Sequence, residues 1–89
     1  MYKPWRWYVY IVECLDGSYY TGMTWRVDLR VLQHMFGGGS KYTTKHGFKR
    51  LAYYEEYDNL EEARARELQI KGWIREKKEK LIKGEWGRQ

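Results

Sequence analysis

Eighty-nine residues leave room for one compact domain, spanning 1–89, and exclude a second one, because chains this short bury only roughly 60–65% of their extended surface on folding. Seventeen Lys and Arg against 12 Asp and Glu give a formal net charge of +5, with the basic excess continuing through the stretch from Lys71 to Gln89, a bias that suits a polyanionic partner without proving one. Lys3, Pro4 and Arg6 interrupt anything resembling a signal peptide, no apolar run is long enough to span a bilayer, and the single Cys14 can form no internal disulfide, so a cytoplasmic protein with no membrane partner is expected.

Pro4 marks the approach to a first strand over Trp7 to Cys14, aromatic and β-branched on both faces, as a strand in the middle of a small sheet reads. Asp16-Gly17 signals a hairpin into a second strand over Ser18 to Met23. Two registers are open. A three-residue loop Leu15-Asp16-Gly17, with Gly17 left-handed, pairs Cys14 with Ser18, Val12 with Tyr20 and Tyr10 with Gly22, and puts both tyrosines on one face; a two-residue turn puts them on opposite faces. In the longer loop, Gly22 opposite Tyr10 leaves one phenol uncovered for a phosphate to approach.

A helix follows from Val27, with Leu29, Leu32 and Phe36 on one stripe and Val27, Arg30, Val31 and His34 on the adjoining one. Asp28 suits its positive end. Gly37-Gly38-Gly39-Ser40 stops it, and a loop is expected to run to about Gly47. Trp25, Met35 and Phe36 are expected to pack under this loop, with base stacking or self-association as the alternatives. Arg50 to Tyr57 reads as a third strand, and Asp58 or Asn59 caps a long helix whose buried stripe is Leu60, Ala63, Glu67, Ile70 and Ile74. Gly72 kinks or breaks it before a second piece from Ile74 to Lys83.

Chemistry enters at three places. Tyr10 and Tyr20 can cooperate if they share a face. Arg30 and His34, four residues apart, project together as a phosphate ligand beside a proton carrier, or simply form a solvated helix flank. Glu67, a lone carboxylate on an apolar stripe, must pair with a cation, hydrogen-bond or hold a metal. Cys14, His34 and His46 have no zinc-ligand spacing, the glycine run lacks the Lys-Ser/Thr of a nucleotide-binding loop, and Ser18 has no nucleophile-elbow context, which removes those chemistries.

Tyr8-Val9-Tyr10-Ile11 followed by Tyr20-Thr21-Gly22 resembles the paired signature of the GIY-YIG nuclease superfamily. The similarity continues through Asp28-Leu29-Arg30-Val31, Gln33-His34, Lys41-Tyr42-Thr43, Glu62-Ala63, Arg66-Glu67 and Ile70-Lys71-Gly72-Trp73, covering nearly the whole chain. It is similar to the small stand-alone members of the YhbQ type, relatives of the amino-terminal nuclease domain of the UvrC excision-repair protein. The resemblance implies an α/β (α+β) fold, a three-stranded antiparallel sheet flanked by helices, with the active site across one sheet face. By similarity Tyr10 acts as general base or orients water, Tyr20 supports it, Arg30 binds the scissile phosphate, His34 assists proton transfer and Glu67 coordinates one divalent cation, Mg²⁺ or Mn²⁺. Gly22, Lys41 and Tyr42 become substrate contacts. The sequence departs from the pattern at Tyr8, where the family name has glycine, and at Met23, where UvrC-like members carry lysine.

The expected activity is therefore a metal-dependent endonuclease acting on nucleic acid, DNA ahead of RNA, in repair or in processing branched or damaged DNA. A catalytically weak nucleic-acid-binding module of the same fold, and a self-associating interaction module, are the competing readings. A monomer or weak homodimer is expected.

Overall fold

The computed structural model describes residues 6–84, so Pro4 and the last residues of the basic tail lie outside the described residues. Seven elements follow one another: β1 (Trp7–Cys14), β2 (Tyr19–Thr24), α1 (Val27–Met35), α2 (Lys41–His46), β3 (Phe48–Tyr57), α3 (Leu60–Lys71) and α4 (Arg75–Ile82). The strands form one antiparallel sheet in the order β2-β1-β3. β1 is central, which explains why its residues are apolar on both faces: Val9 and Ile11 pack with Ala63, Ile70 and Leu81, while Tyr10, Val12 and Cys14 pack with Tyr20, Phe48 and Leu51.

The hairpin takes the longer loop. Gly17 has φ 85°, the Cys14 amide donates to the Ser18 carbonyl at 2.8 Å, and the register pairs Val12 with Tyr20 and Tyr10 with Gly22. Tyr10 and Tyr20 accordingly share a face. β3 begins at Phe48, two residues earlier than the expected start at Arg50, and its pairing with β1 shifts register between Ile11 and Val12 and again between Glu13 and Cys14.

Three expectations need correction. The leucine stripe of α1 is outside: Leu29, Leu32, Trp25 and Met35 are exposed and Phe36 is 83% exposed, so these side chains do not pack under the glycine loop. The inward stripe is the more polar one, with Val27 and His34 buried and Arg30 and Val31 half-buried, because the interior supplies partners for the imidazole. The stretch before Gly47 is no plain loop, since the Ser40 side chain accepts the Thr43 amide at 3.1 Å and starts α2, which ends at Gly47 with φ 80°. In α3, Ala63 and Ile70 are buried as expected, but Leu60 and the more distant Ile74 are exposed, because the helix stops at Gly72 and Ile74 becomes the N-cap of α4. Asn59 caps α3, accepting the Glu62 amide at 2.9 Å.

Among the described residues, the fully buried carboxylate is Glu55 on β3. Arg66 of α3 donates to it at 2.6 Å, and the hydroxyls of Tyr53 and Tyr57 complete its shell. Burial pushes the Glu55 carboxyl up, but these donors outweigh it and hold the group below the usual carboxylate range.

Candidate active site

Alternation along β1 and β2 places the Tyr10 and Tyr20 rings 6.3 Å apart. The space above Gly22 is occupied by Tyr10 itself, since a Cβ on Gly22 would lie 2.5 Å from the phenol oxygen. The expectation of an uncovered phenol is thus wrong: Tyr10 is 2% exposed, and the missing side chain at Gly22 houses the ring instead of opening a path to it.

The inward stripe of α1 brings His34 to this phenol. Its Nε2 lies 3.0 Å from the Tyr10 hydroxyl and its Nδ1 2.7 Å from Thr43 Oγ1, and the residue is 1% exposed, so the solvated-flank reading fails for it. Tyr20 lies 5.5 Å from the imidazole, Tyr42 follows at 5.7 Å from Tyr20, and His46 stacks on Tyr42 at 4.1 Å. His46 is also tied to Asp16 in the hairpin loop.

Electrostatics link the remaining groups. Burial pushes the Tyr10 phenol well above its ordinary value, Tyr20 and Glu67 push it further, and Arg30 pulls it back. Arg30 from α1 and Glu67 from α3 therefore both act on one phenol. Burial, followed by Arg30, holds the His34 pKa below 6.5, which leaves a neutral imidazole near neutrality.

Arg30 is half-buried, donates to the Gly39 carbonyl at 3.4 Å and borders a cavity of about 100 Å³ with Trp25 and Gln33. The Glu67 side chain is 12% exposed and meets Lys71 at 3.1 Å, one helical turn on. Lys71 is itself 47% exposed, and a pair of this kind stabilises by only about 0.3–0.5 kcal/mol, so it does not lock the carboxylate away from another cation. Lys41 and Tyr42 are on the exposed side of α2. Among the described residues no group of three or more His, Cys, Asp or Glu is placed to hold a metal. A cation at Glu67 would take one protein carboxylate, with water and phosphate oxygens for the rest, a donor set that fits Mg²⁺ or Mn²⁺ and not zinc.

Sequence reasoning missed Thr43, Ser40 and Gly39 as parts of this arrangement. A Ser followed three residues later by Thr after a glycine run carries a capping signal, but nothing in it announces contact with His34.

The GIY-YIG catalytic domain family matches residues 6–80, and the chain belongs to that family of nucleases. Within it, the chain is similar to the UPF0213 proteins: it is 45% identical over 75 residues to one from Staphylococcus saprophyticus, covering 84% of this chain and 92% of that protein. A UPF0213 protein of Haloquadratum walsbyi is 47% identical over 74 residues, covering 83% of each. The solution NMR structure of a UPF0213 protein from Bacillus halodurans matches with a TM-score of 0.58 at 44% identity, over 92% of this chain and 87% of that one. The fold is the three-stranded antiparallel sheet with flanking helices expected of the family.

Proposed function

We propose that this protein is a divalent-metal-dependent endonuclease that hydrolyses phosphodiester bonds of DNA by direct attack of water, leaving a 5′-phosphate and a 3′-hydroxyl. The observation that carries this reading is the buried hydrogen bond between Tyr10 and His34, on a phenol that also feels the charges of Arg30 and Glu67.

Water must lose a proton as it attacks, and a raised phenol pKa leaves no tyrosinate near neutrality to take it. Tyr10 acts instead as a conduit: its oxygen takes the proton of the water while its own proton passes to His34 Nε2, which is neutral and 3.0 Å away. The proton ends on the imidazole and the hydroxide ends on phosphorus. Tyr20, whose ring lies 6.3 Å from that of Tyr10, orients the water. Arg30 binds the non-bridging phosphoryl oxygens, where charge grows in the transition state. Glu67 would hold a divalent cation, whose Lewis acidity would neutralise the charge on the departing 3′ oxygen, and that oxygen takes a proton from solvent water to become the 3′-hydroxyl. Lys41 and Tyr42, on the exposed side of α2, contact the flanking backbone. The surroundings are cytoplasmic in this reading, in keeping with a buried, unpaired Cys14, and the work is repair or processing of branched or damaged DNA.

Branched, nicked and single-stranded DNA incubated with the protein and Mg²⁺ or Mn²⁺ test this directly. Tyr10→Phe and Glu67→Ala are expected to lose about 10²-fold or more in cleavage while remaining folded. Equal cleavage by wild type and both variants would sink the proposal.

Two observations favour a second reading, a nucleic-acid-binding module with little turnover: the Tyr10 side chain is almost fully covered, and Met23 packs toward the core on the α3 side. That module would bind DNA with a steep salt dependence and cleave none of it with either metal. The exposed Trp25, Met35 and Phe36 offer an apolar patch for weak self-association, and light scattering across concentrations separates a monomer from a weak homodimer.

A further inference from the structure

The buried polar chain does not stop at the imidazole. Thr43 is 2% exposed, and its Oγ1, 2.7 Å from His34 Nδ1, also lies 3.0 Å from Ser40 Oγ and 3.4 Å from the Ser40 carbonyl. Its amide donates to Ser40 Oγ at 3.1 Å, so the cap that starts α2 also fixes the hydroxyl beneath the ring. Gly39 allows this close approach, because a Cβ there would run into the imidazole.

A neutral imidazole carries one N–H, and its two nitrogens here face partners of different character. A phenol is a good donor and a poor acceptor, since its oxygen lone pair is delocalised into the ring. An alcohol accepts better. The Thr43 hydroxyl can take a hydrogen from Nδ1 and pass its own to the Ser40 carbonyl, which only accepts. In this arrangement every hydrogen in the chain from Tyr10 to Ser40 has an acceptor. With the hydrogen on Nε2, the phenol oxygen would have to accept and Nε2 would have no lone pair to offer.

We propose that Thr43 is a positioning residue that selects the Nδ1–H tautomer of His34 and so keeps the Nε2 lone pair aimed at the Tyr10 hydroxyl. The inference rests on the reading of Tyr10 and His34 as a proton path, which it deepens: only this tautomer can receive the phenol proton. Once Nε2 is protonated, Thr43 is already in place as acceptor for the second N–H of the imidazolium, so the ring need not turn.

The test is a long-range proton–nitrogen spectrum of ¹⁵N-histidine-labelled protein near neutral pH, with the His34 signals assigned by their loss in His34→Gln. Wild type is expected to show a protonated Nδ1 and a bare Nε2. Thr43→Ser should keep that pattern. Thr43→Val should lose it, and its kcat for DNA cleavage should fall about tenfold or more with KM unchanged and with recovery in Thr43→Ser. A wild-type spectrum with Nε2 protonated would overturn the proposal whether or not Thr43→Val folds, and so would an unaltered spectrum in a folded Thr43→Val protein. An Nδ1–H pattern lost in Val and kept in Ser supports the assignment even in a protein that cleaves nothing, so failure of the tautomer and failure of the nuclease reading are told apart.

Discussion

Tyr10 occupies a position that works against its ionising alone: burial first, then Tyr20 and Glu67, raise its pKa, and the hydrogen-bond partner able to relieve it is a histidine held neutral by the same burial. Such a pair has a distinctive pH dependence. The groups facing the imidazole are Tyr10 of β1, Tyr20 of β2, Arg30 of its own helix, Thr43 of α2 and Phe48 of β3, and none of them is a carboxylate that would stabilise the protonated ring. The cleavage rate should therefore fall on acidification through an inflection below pH 6.5, and stay flat above it with no rising tyrosinate limb near neutrality. Stability follows the same sign: the unfolded chain binds the proton more readily than the folded one, so this contribution is intact above about pH 6.5, declines as the pH drops below that value and levels off once the folded imidazole is protonated too. A stopped-assay pH profile and denaturation midpoints at several pH values check both halves. At this scale the sequence was legible where a residue was out of character. Glu67 stood out on an apolar stripe, and the two phenols followed from strand alternation once the loop length was set. Thr43 was not legible, because threonine in a polar stretch gives no sign that it will be buried under a ring.

At the scale of elements, the strands and the two carboxyl-side helices were readable from apolar runs and from the stops at Gly17 and Gly72. α1 was readable as a helix but not as an oriented one. Two adjacent stripes each satisfy the helical period, and hydrophobicity alone selects the leucines, whereas the fold turns His34 inward because Tyr10 and Thr43 satisfy both ring nitrogens. The tie between β3 and α3 was hidden for a related reason: Glu55 and Glu56 are adjacent in a strand, and only the pairing with β1 decides which one faces α3. That tie is a strong handle on stability. Glu55→Ala leaves the Arg66 guanidinium buried without its carboxylate, and is expected to cost about 3–5 kcal/mol in chemical denaturation. A loss below about 1 kcal/mol would mean that Gln69 and the face of Trp73 compensate the cation by themselves.

At the scale of the whole molecule, a central strand buried on both faces lets one small sheet serve two purposes. α3 covers the face of Val9 and Ile11 and carries Glu67, while His34 of α1 and Thr43 of α2 meet on the face of Tyr10, and the Tyr10 phenol feels charges from both layers. The outer face of α1 remains apolar and exposed beside this arrangement. The central claim is that the phenol and the imidazole act as one proton path instead of two independent aids. A double-mutant cycle on the cleavage rate, with Tyr10→Phe, His34→Gln and the double variant measured under single-turnover conditions, tests it most directly. The double variant is expected to be no slower than the slower single one, whereas losses that multiply would mean two independent contributions.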